Sequence, residues 1–93
     1  MEQAYELSVR THGGVCDLGR VVGVLALMDL TPRALASGAV GGGLRIDMRI
    51  VSDARSCELC VSRLRALVCV ASAWLTPNKP GATAKAFAGA SGG

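Results

Sequence analysis

The chain predicts an α+β sandwich: a four-stranded antiparallel sheet with two helices on one face, in the order βαββαβ. Three observations lead there. Ala4 to Thr11 and Leu44 to Val51 alternate apolar and polar residues, the period-two signature of a half-buried strand. Two other segments, one from about Cys16 or Asp17 to Met28 and one following Asp53, repeat apolar residues at helical spacing. Glycine and proline separate these runs at Gly13-Gly14, Pro32 and Gly41-Gly42-Gly43.

In the first strand Tyr5, Leu7 and Val9 point one way, and Glu6, Ser8 and Arg10 the other. The first helix carries an apolar stripe of Leu18, Val21, Val22, Leu25 and Met28, with Asp17 near its positive N-terminal end. Gly19 and Gly23 weaken its propensity and suggest close approach to the sheet or to a partner. Asp29 ends it, and Pro32 prevents continuation. Arg33 to Val40 reads as a weak second strand, poor in β-branched residues and suited to a sheet edge, which invites pairing with another chain. The triple glycine then makes a hairpin to Leu44–Val51. Ser52 and Asp53 are both capable N-caps for a second helix, whose stripe is Cys57, Cys60, Val61, Leu64, Leu67 and Val68. Cys69 to Leu75 is the last strand. Its pattern leaves open whether Val70 and Trp74 or Cys69, Ala71, Ala73 and Leu75 face the core. This order is the ferredoxin-like, split βαβ arrangement. Residues 1–76 form one domain, and residues 77–93 read as a flexible Gly/Ala-rich tail.

A chain of 93 residues has room for one domain. Hydrophobic residues make up 51%, mostly small or branched, with Tyr5, Trp74 and Phe87 the only aromatics; such a core suits thin layers of helix on sheet. The net charge of +3 is spread over scattered arginines. That argues against a nucleic-acid surface, which needs clustered cations, and against a polybasic membrane anchor. The N-terminus lacks the pattern of a signal peptide, and the uncharged stretches are too short for a membrane span. The expected location is the cytoplasm, with Cys16, Cys57, Cys60 and Cys69 as reduced thiols.

Three segments carry a family resemblance. Leu18-Gly19-Arg20-Val21-Val22-Gly23-Val24-Leu25, Leu44 to Val51, and Leu64-Arg65-Ala66-Leu67-Val68-Cys69-Val70 are similar to an ACT domain over roughly Tyr5 to Leu75. Leu44 to Val70 most resembles the single-domain small subunits of acetolactate synthase. The resemblance implies a regulatory domain without catalytic residues or cofactor of its own. It would bind and activate a large thiamine-dependent catalytic subunit in branched-chain amino-acid biosynthesis. Alternatively, it would stand alone as a homodimer that senses an amino acid. The family's hallmark glycine after the first strand falls at Cys16 here, with Gly13 and Gly14 just upstream. The resemblance therefore implies a ligand site at His12, Gly13, Gly14, Cys16 and Thr31.

Other motifs favour structural readings. Cys57-Glu58-Leu59-Cys60 has the C-x-x-C spacing of redox and metal sites, but both thiols lie on the apolar stripe, where free cysteine behaves as a small hydrophobe. No metal site is expected. Cys16 lies near a helix N-terminus, yet its pair with His12 lacks the third group a nucleophile requires. The run from Gly38 to Gly43 lacks the Lys and Ser or Thr of a phosphate loop. Arg45, Asp47 and Arg49 read as a solvated cross-strand charge pattern, with a partner interface as their functional alternative.

Overall fold

The computed structural model describes residues 2–77. The elements are β1 (Gln3–Thr11), α1 (Val15–Leu27), β2 (Ala34–Val40), β3 (Gly43–Ser52), α2 (Ala54–Arg65) and β4 (Val70–Pro77). The strands lie in the order β2-β3-β1-β4, with every neighbour antiparallel. This is the ferredoxin-like βαββαβ sandwich expected, and the two strands with the cleanest alternation occupy its centre. Tyr5, Leu7 and Val9 face Ile50, Met48 and Ile46 across the central ladder. All six are buried beneath Val21 and Leu25 of α1 and Cys57, Cys60, Val61 and Leu64 of α2. A one-residue slip in this ladder would turn the whole apolar set outward, so burial fixes the register.

The turns follow from local chemistry. Gly41 and Gly42 both have positive φ (59° and 129°) between the paired residues Val40 and Gly43, as a two-residue hairpin turn requires. At the end of α1, Asp29 adopts φ 57°. Its N–H donates to the Ala26 carbonyl at 3.1 Å, and that of Leu30 donates to Leu25 at 2.9 Å. These two bonds form a Schellman cap, with Asp29 in the place usually taken by glycine. At the start of α2, Asp53 accepts the Ser56 N–H at 2.9 Å and the Ser56 hydroxyl at 2.8 Å. Those donors hold its carboxyl below the usual aspartate pKa.

Four expectations change. The helix α2 ends at Arg65, so Val68 leaves the apolar stripe and is 94% exposed. In α1 the buried face centres on Val21 and Leu25, and Val22 turns outward. Gly19 and Gly23 do not approach the sheet: a Cβ built on either would meet nothing within 4 Å. The last strand continues through Thr76 to Pro77, because it pairs with β1 as far as Tyr5. Residues 78–93 of the expected tail lie outside the described residues.

The open question about the last strand is decided by a β-bulge. Thr11 pairs with Val70 but Arg10 pairs with Ser72, leaving Ala71 as the extra residue. The bulge reverses the alternation, so Val70 and Ala73 are both buried although they are three positions apart and simple alternation would set them on opposite faces. Neither simple alternation was correct.

The close approach at Gly43 is the tightest constraint on the sheet. A Cβ there would lie 1.8 Å from the Thr11 carbonyl oxygen, in the backbone of the adjacent central strand. Gly43→Ala is therefore expected to cost roughly 3 kcal/mol, at the upper range for overpacking, read as a lowered denaturation midpoint with an unchanged m-value. Asp53→Asn tests the cap. Because the folded Asp53 pKa lies below the ordinary value of 3.8, its contribution is full above that pH and is lost as pH falls through the folded pKa. The stability difference between wild type and variant should shrink on acidification below pH 3.8.

Candidate functional site

The first loop, between β1 and α1, is braced from three sides. Thr11 is buried, and its hydroxyl accepts the Leu44 N–H at 3.1 Å, tying the end of β1 to the start of β3. The same hydroxyl donates to the Gly13 carbonyl at 3.4 Å. The His12 N–H donates to the Cys69 carbonyl at 2.9 Å, joining the loop to the segment before β4. Asp17, 8% exposed, turns its carboxylate back to accept the Gly13 N–H at 2.7 Å. The side chains of His12 and Cys16 remain exposed. Gly14 caps α1 without any side-chain hydrogen bond.

Asp17 was legible only as a favourable charge at a helix start. Its tertiary role is to hold the loop. Gly13 suits this role because a Cβ there would lie 2.8 Å from the Asp17 carboxylate oxygen. A carboxylate three residues into the helix and four after a glycine was the available signal.

Thr31 is exposed but does not join the loop within one chain. It follows α1, whereas the loop precedes it, and a helix of 13 residues spans about 20 Å. His12, Gly13, Gly14 and Cys16 therefore form one group and Thr31 another, at opposite ends of the sheet.

The outer face of the sheet, turned away from both helices, carries Glu6, Ser8, Arg10, Arg45, Asp47 and Arg49 as the alternation requires. Arg45 Nε lies 3.2 Å from Asp47 Oδ2, an exposed pair of small energetic value. Arg45 stands opposite Arg10, and Arg49 opposite Glu6.

The two sheet edges differ. The side chain of Arg65 reaches from the end of α2 to donate its Nε–H to the Ala73 carbonyl at 2.8 Å. This carbonyl points away from β1, because alternate residues of an antiparallel strand turn their polar groups to opposite sides. The edge of β4 thus has one carbonyl capped by Arg65, a bulge at Ala71 and, at Pro77, no N–H to offer. The edge of β2 has none of these devices. Its sequence is Ala-Leu-Ala-Ser-Gly-Ala-Val, without charge or proline. The Leu44 N–H points to β1, so the odd-numbered residues of β3 bond to Ala34, Ala36, Gly38 and Val40. Leu35, Ser37 and Ala39 are left with outward N–H and C=O groups. The edge role was readable from composition, but Arg65 as guard of the opposite edge was not.

The thiols divide by burial. Cys57 and Cys60 are fully buried and Cys16 is exposed. Burial, aided by the Asp53 and Glu58 charges, raises the Cys57 pKa. Burial pushes Cys60 up to about 11. Both are neutral thiols near pH 7 and pack as core residues. Among the described residues no three His, Cys, Asp or Glu side chains group as metal ligands, and no helix is long and apolar enough to cross a membrane.

Solved structures share this architecture. The ACT domain from GTP pyrophosphokinase of Chlorobium tepidum superposes with a TM-score of 0.72 at 13% identity, covering 82% of this chain and 100% of that one. The chain has the ACT-domain fold. A homoserine dehydrogenase from Thiobacillus denitrificans matches with a TM-score of 0.71 at 17% identity, over 85% of this chain and 18% of that one. The C-terminal domain of the MgtC protein from Mycobacterium tuberculosis matches with a TM-score of 0.66 at 16% identity, over 84% and 89% of the two chains. No protein-family model and no curated protein matches the sequence.

Alkylation should follow burial. In the folded protein at pH 8, iodoacetamide is expected to modify Cys16 readily and to leave Cys57 and Cys60 intact until denaturant is added. Peptide mass spectrometry reads the sites. Modification of Cys57 or Cys60 at the Cys16 rate would revive a thiol role for the C-x-x-C.

Proposed function

We propose that this chain is a non-catalytic regulatory module of the ACT kind, acting as a homodimer joined through β2 and sensing an amino acid at the first loop. The observation that carries this reading is the asymmetry of the edges. One is guarded by Arg65, the Ala71 bulge and Pro77, and the other presents three residues with free backbone polar groups. Such an edge is a template for strand addition. A two-fold pairing centred on Ser37 sets Ala34 opposite Val40 of the partner subunit and keeps the sheet antiparallel. It also carries Thr31 of the partner subunit to the end of the sheet where the first loop lies. Two chains thus bring together residues that α1 separates in one. The fold shared with the GTP pyrophosphokinase ACT domain supports the same class of role.

The resemblance of Leu44 to Val70 to acetolactate synthase small subunits supports a finer reading. The module would then bind and activate a large thiamine-dependent subunit, with Arg45, Asp47 and Arg49 as contact residues. The cofactor chemistry would belong wholly to that partner.

Light scattering coupled to size exclusion tests the pairing. The wild type should elute with twice the 9.5 kDa chain mass. Ser37→Pro removes an outward N–H without touching the β3 ladder and should give a monomer of unchanged circular dichroism. A monomeric wild type sinks the dimer. Calorimetry with leucine, isoleucine, valine and other amino acids tests the ligand, and silence across the panel removes the sensing role. If adding the chain to an acetolactate synthase large subunit leaves its rate unchanged, the finer reading fails.

A further inference from the structure

The outer face of the sheet carries a cleft that neither the pairing through β2 nor the first-loop ligand site uses. It is open to solvent, lies where β1 and β2 begin and β3 ends, and has a volume of about 410 Å³ lined by Ala4, Arg33, Arg49 and Val51. Ala4 and Val51 are register partners on the central strands, so they make a continuous apolar floor. Arg49 stands two residues from Val51 and shares its face. Arg33 comes from the segment before β2, and its backbone N–H donates to the Arg49 carbonyl at 2.8 Å. Both arginines therefore line one apolar patch.

Among the described residues neither arginine forms an ion pair. Glu6 is opposite Arg49 in the ladder, yet among the described residues the one ion pair is Arg45 with Asp47. Two guanidinium groups beside an apolar floor repel each other unless an anion joins them. Their planar forks match a carboxylate, to which arginine donates paired hydrogen bonds. The floor has room for a short apolar chain, which inorganic phosphate would leave uncovered.

We infer that this cleft binds a small organic monocarboxylate with a short branched aliphatic chain, its carboxylate held by Arg33 and Arg49 and its chain lying on Ala4 and Val51. The site is separate from the first loop. Ala4 and His12 stand at opposite ends of β1, roughly 25 Å apart at the rise of a strand. Pairing through β2 leaves the outer face open, so either site can fail without the other.

The test is an amide-resolved NMR titration of the full chain at constant ionic strength with isovalerate, its neutral isostere isovaleramide, and inorganic phosphate. Saturable shifts at Ala4, Arg33, Arg49 and Val51 are expected with isovalerate and not with isovaleramide. Arg49→Gln should weaken binding at least tenfold. Arg33→Gln, at an exposed position outside the strands, should do the same and serves if Arg49→Gln does not fold. Arg45→Gln, on the same strand but outside the cleft, should change affinity less than twofold. Equal shifts with acid and amide, unchanged affinity in the arginine variants, or shifts with phosphate alone would each overturn the assignment. Shifts centred on Gly13 and Gly14 would overturn the cleft while supporting the loop.

Discussion

The ladder between β1 and β3 positions everything else in this protein. It sets Tyr5, Leu7 and Val9 against Ile50, Met48 and Ile46, and this surface is what both helices cover. Its end is closed where Gly43 passes the Thr11 carbonyl and the Thr11 hydroxyl takes the Leu44 N–H. The same threonine supports Gly13, and the next residue bonds the segment before β4. The geometry of the first loop is therefore an extension of strand pairing. A side chain at position 43 would push apart the two strands on which core and loop both depend.

The functional character lies largely in how the sheet ends. A four-stranded sheet leaves two edges with unpaired backbone groups, and each must be managed or used. The edge of β4 is managed by a guanidinium, a bulge and a proline. The edge of β2 is built from small uncharged residues that neither repel nor obstruct a neighbour. In the proposed dimer a second copy would occupy this edge, since two-fold pairing preserves the antiparallel order and would unite two groups of loop residues. The proposed ligand site would then lie between chains, and the candidate residues need not converge within one.

The buried thiols and the outer arginines show how context decides chemistry. Cys57 and Cys60 have the spacing of a reactive pair, but desolvation disfavours the thiolate that reactivity requires. Arg45 and Arg49 lie four residues apart on one face, and yet their surroundings differ. Arg45 has Asp47 within 3.2 Å, whereas Arg49 stands with Arg33 over an apolar floor.

The sequence by itself determined the order of elements, the face each central strand buries, a glycine hairpin within Gly41-Gly42-Gly43 and a cap at Ser52 or Asp53. These are local properties: period, turn chemistry and capping act between residues close along the chain. The expected loop residues His12, Gly13, Gly14 and Cys16 were legible as a group for the same reason. Only the tertiary structure decided that Thr31 lies a helix length from them, that Asp17 braces the loop and that Arg65 guards one edge. It also decided the facing of β4, since the bulge at Ala71 arises where the strand must match the end of β1 as well as its own alternation. Each of these depends on contacts between segments distant in sequence, and periodicity carries no information about which distant segment will be the neighbour.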